Sequence, residues 1–561
     1  MPRFSAVLIY VFFTFVSLFP ATAADPIDFW ADLPPEEAAR QLTSEMSDEE
    51  LLGQVLLLGY LGYAPDEDFL AWIRERYIGG VKIFGWNVRD AKNLTAGIVR
   101  MQEETEKTPH RIPLIIATDQ EGGWVRHIRG ETSDTPGNIA IGASGLPEDA
   151  YLTGYYIGLE LKALGVNMNF APTVDVYANP NAHVIGPRAF SSDPVQTAVL
   201  GTAFYRGMRE AGVIATAKHF PGHGNAKEDS HGTLPLIYDT FDVLWDRDLI
   251  PYRMMVKEGL PAVMAGHLGF PEITGKDVPA SLSRFFQTEL LKERLGFKGI
   301  VMTDDLHMVG AHQRTNDVAN VCVDALMAGN DFILISRFPQ THERIWNRML
   351  PLMSEDPLFR QRVIDAAERV LRVKLEYLKR PDAVPLNPDP ERLLLPNPEG
   401  REFFFDQAFR SATLINGSSL PLSLEEGEKV LLAGQFEEYF EVGENFFPDA
   451  DMFDISYAPF YYPVSSEKRR LEALADEYST IIFCLANPNS LECLKAIEHS
   501  GSRIIVISVL TPVYLDEVPW VDSSVAVYGT GTDSFKAGFA AITGVFEPEG
   551  NLPVRFGDSE E

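Results

Sequence analysis

Residues 295–306 read Leu-Gly-Phe-Lys-Gly-Ile-Val-Met-Thr-Asp-Asp-Leu, in which an apolar run at 299–303 ends on the acidic pair Asp304 and Asp305. A short apolar run bounded by glycine and polar residues is typical of a buried parallel strand. Seven further runs of this kind lie between residues 53 and 336, separated by segments of helical period or by long loops. They occupy residues 54–58, 80–84, 113–118, 166–170, 213–218, 262–266 and 331–336.

The alternation of eight strand-like runs with helical segments predicts an α/β protein with a parallel sheet. Eight repeats favour closure of that sheet into a (β/α)8 TIM-like barrel, which we place at residues 28–378. Periodicity alone leaves one alternative open, an open doubly wound sheet.

A second domain is predicted beyond the barrel. Helical periodicity at 357–377 is followed by a proline-rich and charged segment at 379–404, whose composition suits a linker. Residues 405–561 then predict a smaller α/β domain of the αβα sandwich type, with no nucleotide-binding fingerprint. Its strand-like runs lie at 429–433, 480–485, 503–510 and 524–528, and its helical pattern at 488–499.

The net charge limits the possible partners of the protein, and its first residues predict its location. A formal net charge of −32 repels phosphate backbones and anionic lipid headgroups, so nucleic acid is excluded as a partner. Residues 1–23 combine Arg3, an apolar run and a small-x-small site, which predicts a cleaved signal peptide. A retained membrane anchor is the alternative, although the apolar run is shorter than a bilayer span. We therefore expect export to a periplasmic or extracellular location, without a stable membrane span.

Polar residues follow most of the predicted strands, at the end of the barrel where active sites of this fold lie. Each of them has a structural alternative, because strand-end carboxylates and lysines often cap neighbouring helices. Their recurrence at five strands favours a functional site. They are Asp119 after the third strand, Asp175 and Arg188 after the fourth, Lys218 and His219 at the fifth, His267 at the sixth and Asp304 with Asp305 at the seventh.

Four segments carry a family resemblance. They are Asp-Gln-Glu-Gly-Gly at 119–123, Ile-Gly-Pro-Arg at 185–188, Lys-His-Phe-Pro-Gly-His-Gly at 218–224 with Glu-Asp-Ser-His-Gly-Thr-Leu-Pro at 228–235, and the 295–306 stretch. With them the chain resembles glycoside hydrolase family 3, and within it the β-N-acetylhexosaminidase branch in its two-domain form. The likeness covers residues 40–375 and, more weakly, the second domain.

The resemblance implies the residue roles. Asp304 would be the nucleophile, and His231 the general acid/base with Asp229 as its partner. Asp119, Arg188, Lys218 and His219 would hydrogen-bond the sugar, although a purely internal network of ion pairs is the structural alternative. The implied activity is that of a retaining exo-β-N-acetylglucosaminidase that acts on terminal β-linked N-acetylglucosamine, such as cell-wall or chitin fragments. No metal or organic cofactor is expected.

Four other functions remain open from the sequence. A histidine acid/base does not repel phosphate, so a β-N-acetylglucosaminide phosphorylase is one of them. A neutral β-glucosidase or β-xylosidase is the second, and a sugar-binding cell-envelope protein without activity the third. The fourth is a metal site, for which His219, His223, Asp229 and His231 have suitable side chains, although Lys218 beside a divalent cation is unfavourable.

One motif departs from the family pattern. The family's third-strand motif continues Gly-Gly-Arg-Val-x-Arg, whereas Trp124 and His127 occupy the two arginine positions in this chain. Substrate contacts made by the second arginine are therefore in doubt, and a preference for peptidoglycan fragments cannot be carried over.

Overall fold

The computed structural model describes residues 27–312, 317–336, 339–457 and 463–556. The predicted signal peptide, residues 1–23, lies outside them. Among the helices in these ranges, none combines the length and the apolar character needed to cross a bilayer.

Eight parallel strands form a barrel, in the order β8-β1-β2-β3-β4-β5-β6-β7. The ring closes where Met302 of β7 forms a parallel bridge with Phe332, the residue just before β8. The predicted (β/α)8 barrel is therefore confirmed, and the open sheet is excluded. The strands are β1 Leu56–Gly59, β2 Gly80–Ile83, β3 Ile115–Thr118, β4 Met168–Asn169, β5 Ile214–Phe220, β6 Ala262–Ala265, β7 Ile300–Thr303 and β8 Ile333–Ile335.

Two strand boundaries differ from the prediction for local reasons. The first strand was predicted at 54–58, but a capping box between Ser47 and Glu50 starts a helix that runs to Gln54 and delays the strand. The fourth was predicted at 166–170, but β4 has only two residues. The carbonyls of Ala171 and Pro172 still accept hydrogen bonds from β5, but Pro172 has no N–H to donate, so the regular ladder is interrupted there.

The helices surround the barrel and cover both faces of the second domain. Asp193, Asp356 and Asn397 cap α7, α13 and α14, and each precedes a proline in the first turn. Residues Phe285–Arg294 form a π-helix. The α-helices are α1 Pro35–Glu45, α2 Asp48–Gln54, α3 Glu67–Arg76, α4 Ala91–Thr105, α5 Asn138–Ser144, α6 Pro147–Leu164, α7 Pro194–Glu210, α8 Phe241–Asp246, α9 Leu249–Lys257, α10 Pro271–Thr274, α11 Val318–Ala328, α12 Pro339–Glu355, α13 Pro357–Leu378, α14 Pro398–Ser411, α15 Glu437–Phe446, α16 Ser465–Ala475, α17 Pro488–Lys495 and α18 Thr532–Ile542.

The second domain contains a six-stranded sheet in the order β9-β14-β13-β12-β10-β11, in which β9 alone is antiparallel. Side chains alternate between its faces along β12, so Ile481 and Phe483 join one buried cluster and Ile482 and Cys484 the other. This is the predicted αβα sandwich. The strands are β9 Thr413–Asn416, β10 Val430–Gly434, β11 Asp451–Asp454, β12 Thr480–Leu485, β13 Arg503–Val509 and β14 Ser523–Tyr528.

The two domains are joined by packing as well as by the chain. Helix α14 begins at Pro398, inside the segment 379–404 that was predicted as linker, and it packs on α5 and α6 of the barrel. The carbonyl of Pro553 accepts hydrogen bonds from Ser191 Oγ at 2.8 Å and from the Ser192 N–H at 3.0 Å. The loop after β4 is thus held by the second domain.

Candidate active site

A cavity of about 490 Å³ lies at the carboxyl ends of the barrel strands. Asp229 is the one predicted site residue that does not line it directly, and it contacts the cavity through its hydrogen bond to His231. The other predicted site residues all line the cavity, and they are Asp119, Arg188, Lys218, His219, His231 and Asp304.

Asp119, which follows β3, lies between two buried lysines. Lys218 Nζ donates to Asp119 Oδ1 at 2.6 Å, and Lys82 Nζ contacts the other carboxylate oxygen. Burial by itself would raise the pKa of Asp119, but the two ammonium groups hold it well below its usual range. Burial lowers the pKa of Lys82, and Asp119 opposes that effect. Asp119 is therefore a carboxylate fixed by charge-assisted bonds on both sides.

Glu121 forms the second half of this network. Arg188 Nη2 lies 2.8 Å from Glu121 Oε1, and Lys218 Nζ lies 2.6 Å from the same oxygen. Burial would raise the pKa of Glu121, yet the charges of Arg188 and Lys218 lower it to about 2. The ion-pair network considered from the sequence is present, and its members also line the cavity. They are held in place by one another while they face the cavity.

His219 is oriented by two neighbours. Its Nδ1 lies 2.7 Å from Asp175 Oδ2, and its Nε2 lies 3.2 Å from Arg188 Nη2. Because the guanidinium can only donate, Nε2 accepts and Nδ1–H donates to Asp175. Burial opposes the ionised form of Asp175, but the bonds from His219 and His223 lower its pKa to about 2. Asp175 thus positions His219, and it is itself fully buried.

His231 lies on the loop after β5, with its side chain 69% exposed. Its Nδ1 is 2.7 Å from Asp229 Oδ1, and the same oxygen accepts the His231 backbone N–H at 2.9 Å. The hydrogen bond to Asp229 raises the pKa of His231, burial opposes it, and the negative charge of Asp304 adds to the increase. The Gly310 N–H donates to the Ser230 carbonyl at 3.1 Å, which ties this loop to the one after β7.

Asp304 and Asp305 follow β7 and point to different partners. Asp304 lines the cavity, and its Oδ1 accepts the Asp305 N–H at 2.8 Å. Asp305 Oδ1 accepts the backbone N–H groups of His307 at 3.0 Å and Ser336 at 3.3 Å. These contacts tie Asp305 to the backbone of two neighbouring segments, although it also lines the cavity, and they leave Asp304 as the carboxylate of this pair with fewer protein partners.

Sequence reasoning missed two charged residues of the network. Lys82 lies inside the apolar run of β2, where a lysine 1% exposed requires a buried partner. That position in a strand was the available signal. Glu121 lies in the Asp-Gln-Glu-Gly-Gly motif, in which the resemblance assigned a binding role to Asp119 alone, but its carboxylate binds Arg188 and Lys218.

An aromatic wall, Phe84 and Trp86, was also missed. The two rings stack with centroids 4.1 Å apart and planes 11° apart, and Trp86 is 39% exposed. His127, which occupies a family arginine position, lines the cavity next to Phe84, with centroids 5.8 Å apart. Burial and the charge of Lys82 lower the pKa of His127 to about 4. A neutral imidazole therefore replaces the expected arginine charge.

Trp124, the other departure from the family pattern, contacts the second domain. Its ring meets Tyr457 edge to face at 5.3 Å. Of the two arginine replacements, His127 thus lies at the cavity, and Trp124 takes part in the domain contact.

A metal site was one of the alternatives that the sequence left open. Within the described ranges no three His, Cys, Asp or Glu side chains are grouped as a metal ion would require. Among the four candidate ligands, His219 is bound to Asp175 and His231 to Asp229.

A (β/α)8 barrel with a cavity at the carboxyl ends of its strands, lined by Asp304 and by a network of charged hydrogen-bonding groups, is the architecture of an enzyme that acts on polar substrates. Residues 45–373 match the model of the glycosyl hydrolase family 3 N terminal domain. The chain belongs to this family and is a glycoside hydrolase.

The relatives agree with the branch inferred from the sequence. Beta-hexosaminidase A of Pseudoalteromonas piscicida is 34% identical over 321 residues, which cover 52% of this chain and 54% of that protein. The chain thus spans about half the length of that relative. The beta-hexosaminidase of Thiobacillus denitrificans is 36% identical over 296 residues, 52% of this chain and 80% of its own.

A solved structure extends the likeness to both domains. The family 3 beta-N-acetylglucosaminidase of Paenibacillus sp. str. FPU-7 superposes with a TM-score of 0.82 at 28% identity. The superposition covers 91% of this chain and 99% of that structure. The predicted resemblance, including its two-domain form, is confirmed.

Proposed function

We propose that the protein is a retaining, exo-acting β-N-acetylglucosaminidase, with Asp304 as nucleophile and the His231–Asp229 pair as acid/base. The observation that carries the proposal is this pair, joined at 2.7 Å, on the rim of the cavity that contains Asp304. The names of the curated relatives and of the solved structure support the choice of sugar. We also propose that residues 1–23 direct export to a periplasmic or extracellular location.

In the first step the Asp304 carboxylate attacks the anomeric carbon, and the glycosidic C–O bond breaks. His231 in its imidazolium form gives its Nε2 proton to the departing oxygen, since Nδ1 is bound to Asp229. The negative charge of Asp229 stabilises the imidazolium, which is why the pKa of His231 is raised. The products of this step are a glycosyl ester on Asp304 and a neutral His231.

In the second step neutral His231 accepts a proton from water, and the resulting hydroxide oxygen attacks the anomeric carbon. The ester bond to Asp304 breaks and the carboxylate is restored. Two inversions give net retention of configuration. A histidine suits both steps because its ordinary pKa, near 6.5, lets it lose and regain a proton near neutral pH.

Asp119, Arg188, Lys218 and His219 are proposed to bind the hydroxyl groups of the terminal sugar. Their mutual ion pairs fix their positions before substrate arrives, so little is lost in ordering them. Since an unmet buried hydrogen-bonding group costs about 1–3 kcal/mol, such a site discriminates between sugars that differ in one hydroxyl.

Hydrolysis of 4-nitrophenyl β-N-acetylglucosaminide and β-glucoside tests the proposal, with and without phosphate. Asp304→Ala should lose at least about a thousandfold in kcat. His231→Ala should lose roughly a hundredfold or more on N,N′-diacetylchitobiose but much less on the nitrophenyl substrate, whose leaving group needs little protonation. Asp277→Ala and His499→Ala, both exposed, are the matched controls.

Proton NMR of the first sugar released decides the stereochemistry, since retention gives the β anomer before mutarotation. An α anomer would refute the double displacement. Phosphate-dependent release of sugar 1-phosphate would instead identify a phosphorylase, and preference for the glucoside would exclude the proposed substrate. Activity unchanged in Asp304→Ala would remove the nucleophile assignment.

A further inference from the structure

A second cavity of about 560 Å³ lies at the opposite end of the barrel. Lys298, which lines it, precedes β7, whereas Asp304 follows the same strand. Six residues at 3.3 Å each place the two about 20 Å apart. The walls are α1, α13 and the π-helix, so this cavity is separate from the catalytic one.

The lining of this cavity is strongly basic, in contrast to a chain whose net charge is −32. Only three carboxylates line it: Glu36, Asp365 and Glu368. Seven cationic side chains line it: Arg40, Arg284, Lys292, Lys298, Arg362, Arg369 and Arg372. A local excess of positive charge on an acidic protein raises the local concentration of anions.

Several of the arginines are fixed by main-chain carbonyls. Arg369 Nη1 donates to the Lys298 carbonyl at 3.0 Å, and Arg372 Nη2 contacts the same oxygen. Arg362 Nε donates to the Leu326 carbonyl at 3.0 Å. A carbonyl orients a guanidinium without neutralising it, so these bonds hold the groups in place and leave their charge available.

Ion pairs neutralise only part of the charge. Asp331, fully buried, binds both Lys292 and Arg362. In the described part of the chain, no carboxylate oxygen lies within 4.0 Å of the basic groups of Arg40, Lys298, Arg369 or Arg372. Burial lowers the pKa of Lys292 to about 7, and the charges of Arg362 and Arg369 add to the decrease against the effect of Asp331. The charge that ion pairs leave uncompensated therefore rests on Arg40, Lys298, Arg369 and Arg372.

We propose that this cavity binds a small multivalent anion of the phosphate-ester or pyrophosphate class. Guanidinium groups match the oxygens of a phosphate in pairs, and here at least two are held side by side on one carbonyl oxygen. The volume is within the range of small-ligand sites. The assignment does not depend on the proposed glycosidase activity.

Isothermal titration with sodium pyrophosphate at low ionic strength tests the proposal on the full chain. Arg40→Gln/Lys298→Gln removes two exposed charges that take part in no ion pair within the described ranges, and it keeps the Lys298 carbonyl that orients Arg369 and Arg372. We expect it to weaken binding at least about tenfold, as does Arg369→Gln/Arg372→Gln. Arg392→Gln/Arg469→Gln, with equal loss of charge elsewhere, should bind as the wild type does.

Glycoside hydrolysis without pyrophosphate should be unchanged in Arg40→Gln/Lys298→Gln, which shows that the variant is folded. Two results would overturn the proposal. One is the absence of saturable pyrophosphate binding in the millimolar range. The other is binding that is equal in the wild type and in Arg40→Gln/Lys298→Gln, since the anion would then occupy another site.

Discussion

Replacing Asp119 by asparagine should destabilise the barrel far more than a change of one surface charge would. Lys82 is 1% exposed, and Asp119 is its only carboxylate partner within the described ranges. Lys218 is 2% exposed but keeps Glu121 at 2.6 Å. The substitution therefore leaves Lys82 as a buried cation with no carboxylate of the described ranges in ion-pair contact, and only the more distant charge of Asp304 still favours its ionised form.

The loss of unfolding free energy in Asp119→Asn has an upper limit, because Lys82 can release its proton and become neutral. A lysine with an ordinary pKa near 10.4 can be neutralised at pH 7 for about 5 kcal/mol, since each pKa unit is worth about 1.4 kcal/mol. Loss of one partner of a buried pair costs about 3–5 kcal/mol. We expect Asp119→Asn to lose about 3–5 kcal/mol at pH 7. Because the folded variant then binds fewer protons than the unfolded chain, its stability should rise with pH.

Urea unfolding followed by tryptophan fluorescence at pH 6, 7 and 8 measures this loss. The matched variant Lys82→Met/Asp119→Asn removes both partners of the pair and should recover stability to within about 1–2 kcal/mol of the wild type. It should stay inactive, because Asp119 is proposed to bind sugar. Wild-type stability in Asp119→Asn, or no recovery in the double variant, would refute the reasoning.

Three further predictions use other parts of the molecule. Asp229→Asn keeps an acceptor oxygen but removes the negative charge that helps to raise the pKa of His231, so the basic limb of the pH profile of kcat/KM should move to lower pH; an unmoved limb would contradict the assigned pair. Trp86→Ala should raise KM for N,N′-diacetylchitobiose roughly tenfold with little change in unfolding, whereas the equally exposed Trp30→Ala should change neither, and equal effects would exclude an aromatic sugar platform. Burial lowers the pKa of Lys374, so Lys374→Met should gain about 1–3 kcal/mol at pH 7 and more at pH 5 in urea unfolding, and no gain at either pH would contradict this cause.

The barrel was predictable because its strands are apolar runs that end in polar residues, as the 295–306 stretch shows. Gln54 was assigned to the first strand because it adjoins an apolar run. In the structure it ends the helix that the capping box starts. Strand β11, Asp451–Asp454, was missed because an edge strand buries only Phe453 of its four residues and so has no apolar run.

Residues that line the cavity could be predicted where they belong to a sequence motif. Residues that are brought to a site only by the fold could not. Asp304, His231 and Asp229 come from loops with recognisable motifs. Lys82 has no motif, and its partner Asp119 lies 37 residues away. The same holds for the basic cavity, whose charges come from α1, α13 and the π-helix and are scattered along the sequence.

The hydrogen bonds from Ser191 and Ser192 to Pro553 bear on the synthesis of the enzyme. The loop they fix also contains Arg188, yet Ser191 and Pro553 are 362 residues apart in the chain. At about 5–20 residues per second, a ribosome needs roughly 20–70 s to make that segment. The loop after β4 therefore stays untethered for this interval, and Arg188 reaches its final position only after the second domain has been translated and has docked.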